Sequence, residues 1–259
     1  MMKAGKGGPA SWLQVFVLFT AQFFFAFSLY GASGPESLYL EGIKAYQSGH
    51  YDRAAEIFLQ VAEAPVENGE LYYNLGNAFY KKGDLGRSVL WYERALKLMP
   101  TDPDLQFNHQ LVTGLVVDKA DNRSNPLADV FLFWKHRMSR QATVWSAVLL
   151  FAAFTWLSLV RIVKPSRSLK YTERTALAFS LVFIVSASYD FYSDRFNRQA
   201  VVVSQEAVVR SGLSDDATEL FRLHDGTKVS VREELRGYVK IRFSDDKIGW
   251  IDKKNIEII

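Results

Sequence analysis

Charged residues are absent from two long apolar runs in the second half of the chain, residues 142–160 and 175–189. An α-helix needs about 20 residues to cross the hydrocarbon core of a membrane. The first run has that length, and the second reaches it when the aromatic residues at 189–192 count as interfacial. A pair of buried helices in a soluble protein is the alternative, but such helices usually have a polar face, and these runs have none. The pattern therefore predicts a two-helix transmembrane hairpin over residues 142–193.

The segment between the two runs, residues 161–174, has an excess of positive charge. It contains one acidic residue, Glu173, and the basic residues Arg161, Lys164, Arg167, Lys170 and Arg174. Such an excess is typical of cytoplasmic loops. We therefore predict that residues 161–174 form a cytoplasmic loop and that the chain on both sides of the hairpin lies outside the cytoplasm.

A further apolar run, residues 12–30, comes after Lys3 and Lys6 and is followed by small residues. This order is typical of a secretory signal peptide, but the run is longer than the usual core of about 7–15 residues and could remain as an anchor. Residues 1–33 are thus predicted to be a signal peptide or an N-terminal membrane anchor, and both alternatives export the segment that follows. The predicted location is the bacterial inner membrane, multi-pass, with the soluble regions in the periplasm.

Between residues 34 and 118, two segments of helical periodicity align at an offset of 34 residues. The offset pairs Gly42, Tyr46, Gly49 and Phe58 with Gly76, Tyr80, Gly83 and Tyr92. A glycine lets two helices approach closely, and it adopts the positive φ of a tight turn at little cost. The pattern resembles the tetratricopeptide repeat (TPR) family. The resemblance implies an all-α solenoid over residues 34–118, with two repeats and a capping helix that carries Leu105, Leu111, Val112 and Leu115 at helical spacing.

The resemblance to TPR proteins also implies a ligand groove lined by the first helix of each repeat. The matching positions here are Tyr39, Ile43, Tyr46, Gln47, Tyr73, Asn77, Tyr80 and Lys81. Tyrosines beside an amide and an ammonium group can hold an extended or helical peptide by apolar contacts and hydrogen bonds. The alternative is that each tyrosine only packs on the following repeat. Tyr73 stands where TPR proteins that clamp a peptide carboxylate have a lysine, which argues against a C-terminal tail as the ligand.

Residues 119–141 differ from the repeats in composition. They begin with a polar stretch interrupted by Pro126, which is typical of a linker. Aromatic residues, including Phe131 and Trp134, then stand directly before the basic cluster of residues 135–137. Because this combination suits the headgroup region of a bilayer, we predict a linker followed by a short interfacial helix.

From residue 198 onward, apolar and polar residues alternate in short runs about ten residues apart, with glycines between them. This pattern predicts a small all-β barrel of five or six strands over residues 198–259. The runs VVRSGLSDDATELFRLHDGTKVSV and GYVKIRFSDDKIGWI resemble the bacterial SH3-like (SH3b) family, with Tyr238 in place of the usual tryptophan and Asp246 in place of a glycine. Phe243 and Trp250 fit packing positions, so Tyr238 is the candidate for contact with an SH3b ligand.

The sequence offers little for catalysis or metal binding. It has no cysteine, and no two of its four histidines have the spacing of metal ligands. Nucleotide-binding and hydrolase motifs are absent, and a net charge of +3 is too small to predict nucleic-acid binding. We therefore expect no catalytic residues, no cofactor and no nucleic-acid partner. Two or three membrane helices also leave almost no polar lining for a transport path.

The order of these parts along the chain resembles the BatE-like proteins of the Bat aerotolerance family. This resemblance implies a multidomain, non-enzymatic inner-membrane protein. Its partners would be other Bat proteins with von Willebrand A domains and, indirectly, a MoxR-type ATPase, in a complex associated with tolerance of oxygen or stress.

Two functions are compatible with these features. In the first, the protein is a membrane-anchored scaffold whose TPR groove binds protein partners outside the cytoplasm. In the second, it is a cell-wall sensor or tether whose SH3b domain binds peptidoglycan. Nothing in the sequence points to a thiol-based defence against oxidants, because cysteine is absent.

Overall fold

The computed structural model describes residues 33–119, 138–196 and 198–259. The predicted signal peptide or anchor and most of the predicted linker and interfacial segment lie outside the described residues. The described residues form seven α-helices: α1 (Ser33–Gln47), α2 (Tyr51–Ala62), α3 (Gly69–Lys82), α4 (Leu85–Leu98), α5 (Pro103–Leu115), α6 (Arg140–Val163) and α7 (Arg167–Phe196).

Helices α1 and α2 form one hairpin, and α3 and α4 form a second. The tight turns contain Gly49 and Gly83, whose φ angles of 78° and 85° favour glycine. Within each hairpin a glycine on the first helix faces an aromatic ring on the second. A Cβ atom on Gly76 would lie 2.5 Å from the Tyr92 ring, so the close approach of α3 and α4 requires glycine there.

Capping side chains fix the start of three helices. Asn68, Asp84 and Asp102 each accept a hydrogen bond from the backbone N–H three residues later, at 3.1, 3.0 and 2.8 Å. Each bond satisfies an amide that has no partner within its helix. Pro103 occupies the first position of α5, where a missing N–H costs nothing. These boundaries are therefore set locally by the sequence.

Helix α5 packs on α4 through Leu105, Val112 and Val116, which are buried. Leu111 and Leu115, which share the apolar spacing of the predicted capping helix, are exposed. Helical spacing alone could not separate the two sets, because α5 has apolar residues on two faces. The buried face is the one that continues the packing of the repeats.

The C-terminal region is one antiparallel sheet of seven strands, not the five or six predicted. The apolar run over residues 200–210 turns at Ser204 and Gln205 and supplies two strands. The strands contribute to one core and lie in the order β3-β2-β6-β5-β4-β1-β7. They are β1 (Gln199–Val202), β2 (Glu206–Arg210), β3 (Glu219–His224), β4 (Lys228–Leu235), β5 (Tyr238–Arg242), β6 (Ile248–Asp252) and β7 (Ile256–Ile258).

Strand β1 is buried on both faces because it docks on the second repeat. Its residues Ala200 and Val202 point into the core of the sheet, whereas Val201 joins the core formed by α4 and α5. Gly86 makes room for this contact, since a Cβ atom there would lie 2.7 Å from the carbonyl oxygen of Val202. The repeats and the sheet therefore form one packed unit.

Polar contacts surround the apolar docking surface. The partly buried Glu93 on α4 pairs with Lys228 Nζ at 2.8 Å and with His109 Nε2 at 3.0 Å. Beyond α5, the Asp118 carboxylate accepts hydrogen bonds from the backbone N–H of His224 at 2.6 Å and from the Thr227 hydroxyl at 2.9 Å. These bonds fix the orientation of the sheet on the repeats.

Helices α6 and α7 pack against one another and are joined by residues 164–166 alone. The connection is shorter than the predicted loop over residues 161–174, because the basic residues continue both helices beyond the apolar runs. Pro165 accounts for the position of the break, since proline has no N–H and restricts the residue before it. The two helices are also linked by an ion pair between Arg161 and the buried Glu173, at 2.7 Å.

Of the helices that the structure describes, α6 alone is long and apolar enough for a membrane span, and its apolar stretch is almost entirely unburied. Most of its large apolar side chains, including Trp145, Leu149 and Trp156, face outward. The second predicted span, residues 175–189 in α7, does not meet the same description, so one of the two predicted membrane helices is supported. The assignment of α6 as a candidate membrane span rests on its length and composition.

Candidate functional site

The first helices of successive repeats are joined by a repeated tyrosine–asparagine hydrogen bond. The hydroxyl of Tyr39 on α1 accepts a bond from Asn74 Nδ2 on α3, at 2.7 Å. The hydroxyl of Tyr73 on α3 accepts the same bond from Asn108 Nδ2 on α5, at 2.9 Å. Both residues of the second pair lie 34 positions after those of the first. Helix α5 therefore takes the place of the first helix of a third repeat.

A second group of bonds occupies the predicted groove residue Asn77. Its side-chain oxygen accepts hydrogen bonds from the Tyr92 hydroxyl at 2.6 Å and from Asn108 Nδ2 at 3.0 Å. Burial strongly raises the pKa of the Tyr92 hydroxyl, which therefore stays protonated as a donor. Of the predicted groove residues, Tyr39, Tyr73 and Asn77 are thus held by neighbouring repeats.

The predicted residues in the last turns of α1 and α3 are open to a ligand. Gln47 and Lys81 are exposed, and Tyr46 and Tyr80 are partly exposed. Among the described residues, neither of these two tyrosine hydroxyls has a hydrogen-bond partner. Burial raises the pKa of the Tyr46 hydroxyl, so it is a neutral donor and acceptor. The remaining predicted residue, Ile43, packs against the core of the first repeat.

Three residues outside the predicted set occupy the equivalent positions on α5. Phe107, Leu111 and Leu115 on α5 lie 34 positions after Tyr73, Asn77 and Lys81. Their exposed fractions are 66%, 45% and 54%, so they form an open apolar strip. The signal was present in the sequence, because extending the 34-residue offset by one more step selects these three positions.

On the SH3-like sheet, Tyr238 is partly exposed and its hydroxyl donates a hydrogen bond to Asp215 Oδ1 at 3.2 Å. Trp250, predicted to occupy a packing position, instead lies partly exposed on the same face of the sheet, with Lys240 Nζ 5.7 Å from its ring centroid. Phe243 packs against the core of the sheet, as expected for a structural residue. Tyr238 and Trp250 are both partly exposed.

No group of three or more histidine or acidic side chains is placed to hold a metal ion in the part of the chain that the structure describes. The groove residues are neutral apart from Lys81, and none is arranged as a nucleophile with a base. The arrangement therefore suits noncovalent binding.

Comparison with known proteins gives two family matches. The tetratricopeptide repeat family matches residues 39–103, and the bacterial SH3 domain family matches residues 206–257. The chain is also 30% identical over 113 residues to the photosystem I assembly protein Ycf3 of Prochlorococcus marinus (strain MIT 9211), a match over 42% of this chain and 61% of that protein. The helical region thus contains TPR repeats, and the C-terminal sheet is a bacterial SH3 domain.

Proposed function

We propose that the protein is a membrane-anchored scaffold that binds a protein partner through the TPR groove, outside the cytoplasm. The observation that carries this proposal is the division of the groove. Tyr39, Tyr73 and Asn77 are hydrogen-bonded to neighbouring helices of the repeats. In contrast, the apolar strip on α5 and the residues of the last turns of α1 and α3 are fully or partly exposed, namely Tyr46, Gln47, Tyr80 and Lys81.

The exposed groove residues indicate what kind of peptide would bind there. Phe107, Leu111 and Leu115 are spaced four residues apart on one helix, so they offer a continuous apolar strip to the side chains of an amphipathic segment. Gln47 and the two tyrosine hydroxyls provide hydrogen bonds at the other side of the groove. Lys81 favours an acidic residue in the partner over a basic one.

Membrane anchoring is supported by the outward-facing apolar side chains of α6, which water would solvate poorly. The docking of β1 on the repeats supports a second crossing by α7, because the chain must return to the side from which it left. The basic residues between Arg161 and Arg174 favour a cytoplasmic position for the connection, with the repeats and the SH3 domain in the periplasm.

The scaffold is best explained as an assembly factor for a membrane complex. The TPR relative named above is called an assembly protein, and that role, though not its photosystem, fits a groove without catalytic groups. A Bat-type aerotolerance complex is our candidate, with von Willebrand A domain proteins as direct partners and a MoxR-type ATPase as an indirect one.

Site-specific photo-cross-linking in intact cells tests the groove. Cross-linkers at Gln47 and Leu111 lie in the groove, and one at the exposed Gln60 on α2 lies outside it. We expect the first two to capture the same protein and the third to miss it. Equal capture from Gln60 would contradict the proposal.

Matched variants define the contacts. Leu111→Asp places a charge in the apolar strip, and Leu59→Asp places one on an exposed leucine outside it. We expect only the former to abolish capture. Tyr46→Phe and Tyr80→Phe keep ring packing and remove hydroxyls, and each should weaken binding roughly fivefold, the effect of losing about 1 kcal/mol. Unchanged binding in both Phe variants would show that the two hydroxyls do not contribute to partner binding.

A second function, binding of peptidoglycan by the SH3 domain, is favoured by the partial exposure of Tyr238 and Trp250 on one face of the sheet. The test is retention of the full-length detergent-solubilised protein on purified sacculi. Tyr238→Ala should release it, whereas Tyr171→Ala, on α7, should not. No retention of the wild-type protein would eliminate this function.

A further inference from the structure

A cleft of about 830 Å³ lies where the second repeat, the SH3 sheet and the helices α6 and α7 meet. Basic residues from three parts of the fold converge on it: Arg94 and Lys97 from α4, Arg140 from α6, and Arg198 and Arg242 from the C-terminal domain. Among the described residues that line the cleft, Glu67 is the one acidic side chain. Lys97 donates a hydrogen bond to a main-chain oxygen of Ile259 at 3.1 Å, and Arg242 lies 3.7 Å from the exposed Asp245 carboxylate. Basic side chains nevertheless outnumber acidic ones in the lining.

Arg94 is held in place at the wall of this cleft. Its guanidinium lies 4.5 Å from the centroid of the Trp91 ring and donates a hydrogen bond to the carbonyl oxygen of Ile258 at 2.5 Å. A main-chain carbonyl has no net charge, so the bond orients Arg94 without neutralising it. The nearby Glu257 is shared with Arg87, which lies 3.5 Å from its carboxylate. A preorganised arginine of this kind suits a phosphate, which it can bind through two parallel N–H groups.

Aromatic residues complete the wall. Tyr72 packs against Trp91 with ring centroids 5.2 Å apart, and Tyr189 on α7 lies beside the first turn of α6. Aromatic and basic side chains at the end of a membrane helix are typical of the headgroup region. Because Arg140 begins the apolar helix α6, the mouth of the cleft lies at the level where lipid headgroups would be.

We propose that this cleft binds the phosphate headgroup of an anionic phospholipid. The inference rests on the proposed membrane anchoring, and it adds a specific lipid site to it. Arg94, Arg198 and Arg242 contact the phosphate, while Tyr189 lies against the apolar part of the lipid. The volume is within the range of about 300–1,000 Å³ that is usual for sites of small ligands.

Native mass spectrometry of the full-length protein in a neutral detergent tests the site. The protein is titrated with phosphatidylglycerol, with phosphatidylcholine and with inorganic phosphate. The variant Arg198→Gln/Arg242→Gln removes two cleft charges, and the control Arg53→Gln/Arg232→Gln removes two exposed charges elsewhere. A basic side chain near an anionic lipid contributes about 1 kcal/mol, or roughly fivefold, so the cleft variant should bind phosphatidylglycerol roughly 25-fold more weakly.

The proposal requires that the control variant bind phosphatidylglycerol like the wild type and that phosphatidylcholine bind more weakly to all three proteins. Equal weakening in both double variants would mean general attraction and would overturn it. Displacement of the lipid by millimolar inorganic phosphate would instead assign the cleft to a soluble phosphate. Retention of each variant in alkali-washed membranes is measured in parallel, and loss there would count against the anchoring proposal, not against the cleft.

Discussion

Asn108 donates a hydrogen bond to the hydroxyl of Tyr73, and this bond places α5 in the register of a third repeat. Asn74 and Tyr39 make the same contact one repeat earlier. Because α5 continues the series, its exposed apolar residues extend the groove instead of ending it. The true end of the solenoid is the SH3 domain, which covers α4 and the end of α5.

Replacement of Asn108 by alanine removes the bonds to Tyr73 and Asn77 together. We expect the free energy of unfolding to fall by about 2 kcal/mol, because partly buried groups are left unpaired. Urea unfolding of the full-length protein in detergent, followed by tryptophan fluorescence, measures the change. Gln110→Ala, at an exposed position of the same helix, is the control and should change stability by less than about 0.5 kcal/mol. Equal losses of stability in Asn108→Ala and Gln110→Ala would mean that the hydrogen bonds of Asn108 do not stabilise the repeats.

Two glycine-to-alanine changes should have opposite effects. In Gly86→Ala the new methyl group meets the backbone of Val202 and Val203, at 2.7 and 2.8 Å, and we expect a loss of about 1–3 kcal/mol through overpacking. In Gly114→Ala the methyl group has nothing within 4 Å, and the better helix propensity should add up to about 1 kcal/mol. Thermal unfolding of the full-length protein distinguishes them. A gain in stability from Gly86→Ala would show that β1 docks less tightly than described.

Acid should loosen the contact between the repeats and the SH3 domain through Glu93. Burial alone would raise the pKa of this carboxyl, but the hydrogen bonds and charges of His109 and Lys228 lower it from 4.5 to about 2. Because the folded-state pKa is lower than the unfolded one, ionised Glu93 stabilises the fold above pH 4.5, and this contribution is lost as the pH falls from 4.5 towards 2. The amount is on the order of 3 kcal/mol.

We therefore expect Glu93→Gln to be less stable than the wild type at pH 7 and to lose less stability between pH 5 and pH 3. Chemical unfolding at both pH values measures the difference. Glu233→Gln, on the exposed part of β4, should follow the wild type. Parallel pH dependence of Glu93→Gln and the wild type would rule out this carboxylate as the acid-sensitive group.

The effects of replacing Arg161 and Glu173 on stability should not be additive. In Arg161→Met the carboxylate is left buried without its partner, which should cost about 3–5 kcal/mol. The double variant Arg161→Met/Glu173→Leu removes both charges and should recover most of that loss. Cysteines introduced in pairs at facing positions of α6 and α7 report helix pairing by disulfide formation, since the natural chain has none. If the double variant pairs as poorly as the single one, the helices depend on other contacts.

The repeats were predictable because glycine positions and helix caps are local signals that recur at a fixed offset. Gly76 and Asp84 fix a close approach and a helix start with no information from the rest of the chain. The exposure of Leu111 and Leu115 was not predicted, because the burial of an apolar residue depends on which face meets a neighbour. Extension of the repeat period, more than periodicity within α5, would have shown it.

The docking of the SH3 domain was not predicted for a related reason. The continuous apolar residues Ala200, Val201 and Val202 do indicate a strand buried on two faces. Nothing in that stretch indicates that its second face packs on α4, because the contact joins segments more than a hundred residues apart. The basic cleft is built from residues just as distant, among them Arg94 and Arg242, so it exists only after docking.

The shared core around Val201 has a consequence for biogenesis. Residues 138–196 separate its two contributors in the chain, so the repeats emerge during synthesis long before β1 can cover them. If α6 and α7 insert as a pair, β1 returns to the compartment that holds the repeats and the core closes. In a chain with a single crossing, β1 would lie on the opposite side of the bilayer from the repeats. Leu90 and its neighbours would then stay exposed to chaperones and proteases. Closure of this core would therefore let the cell distinguish correctly threaded molecules from wrongly inserted ones.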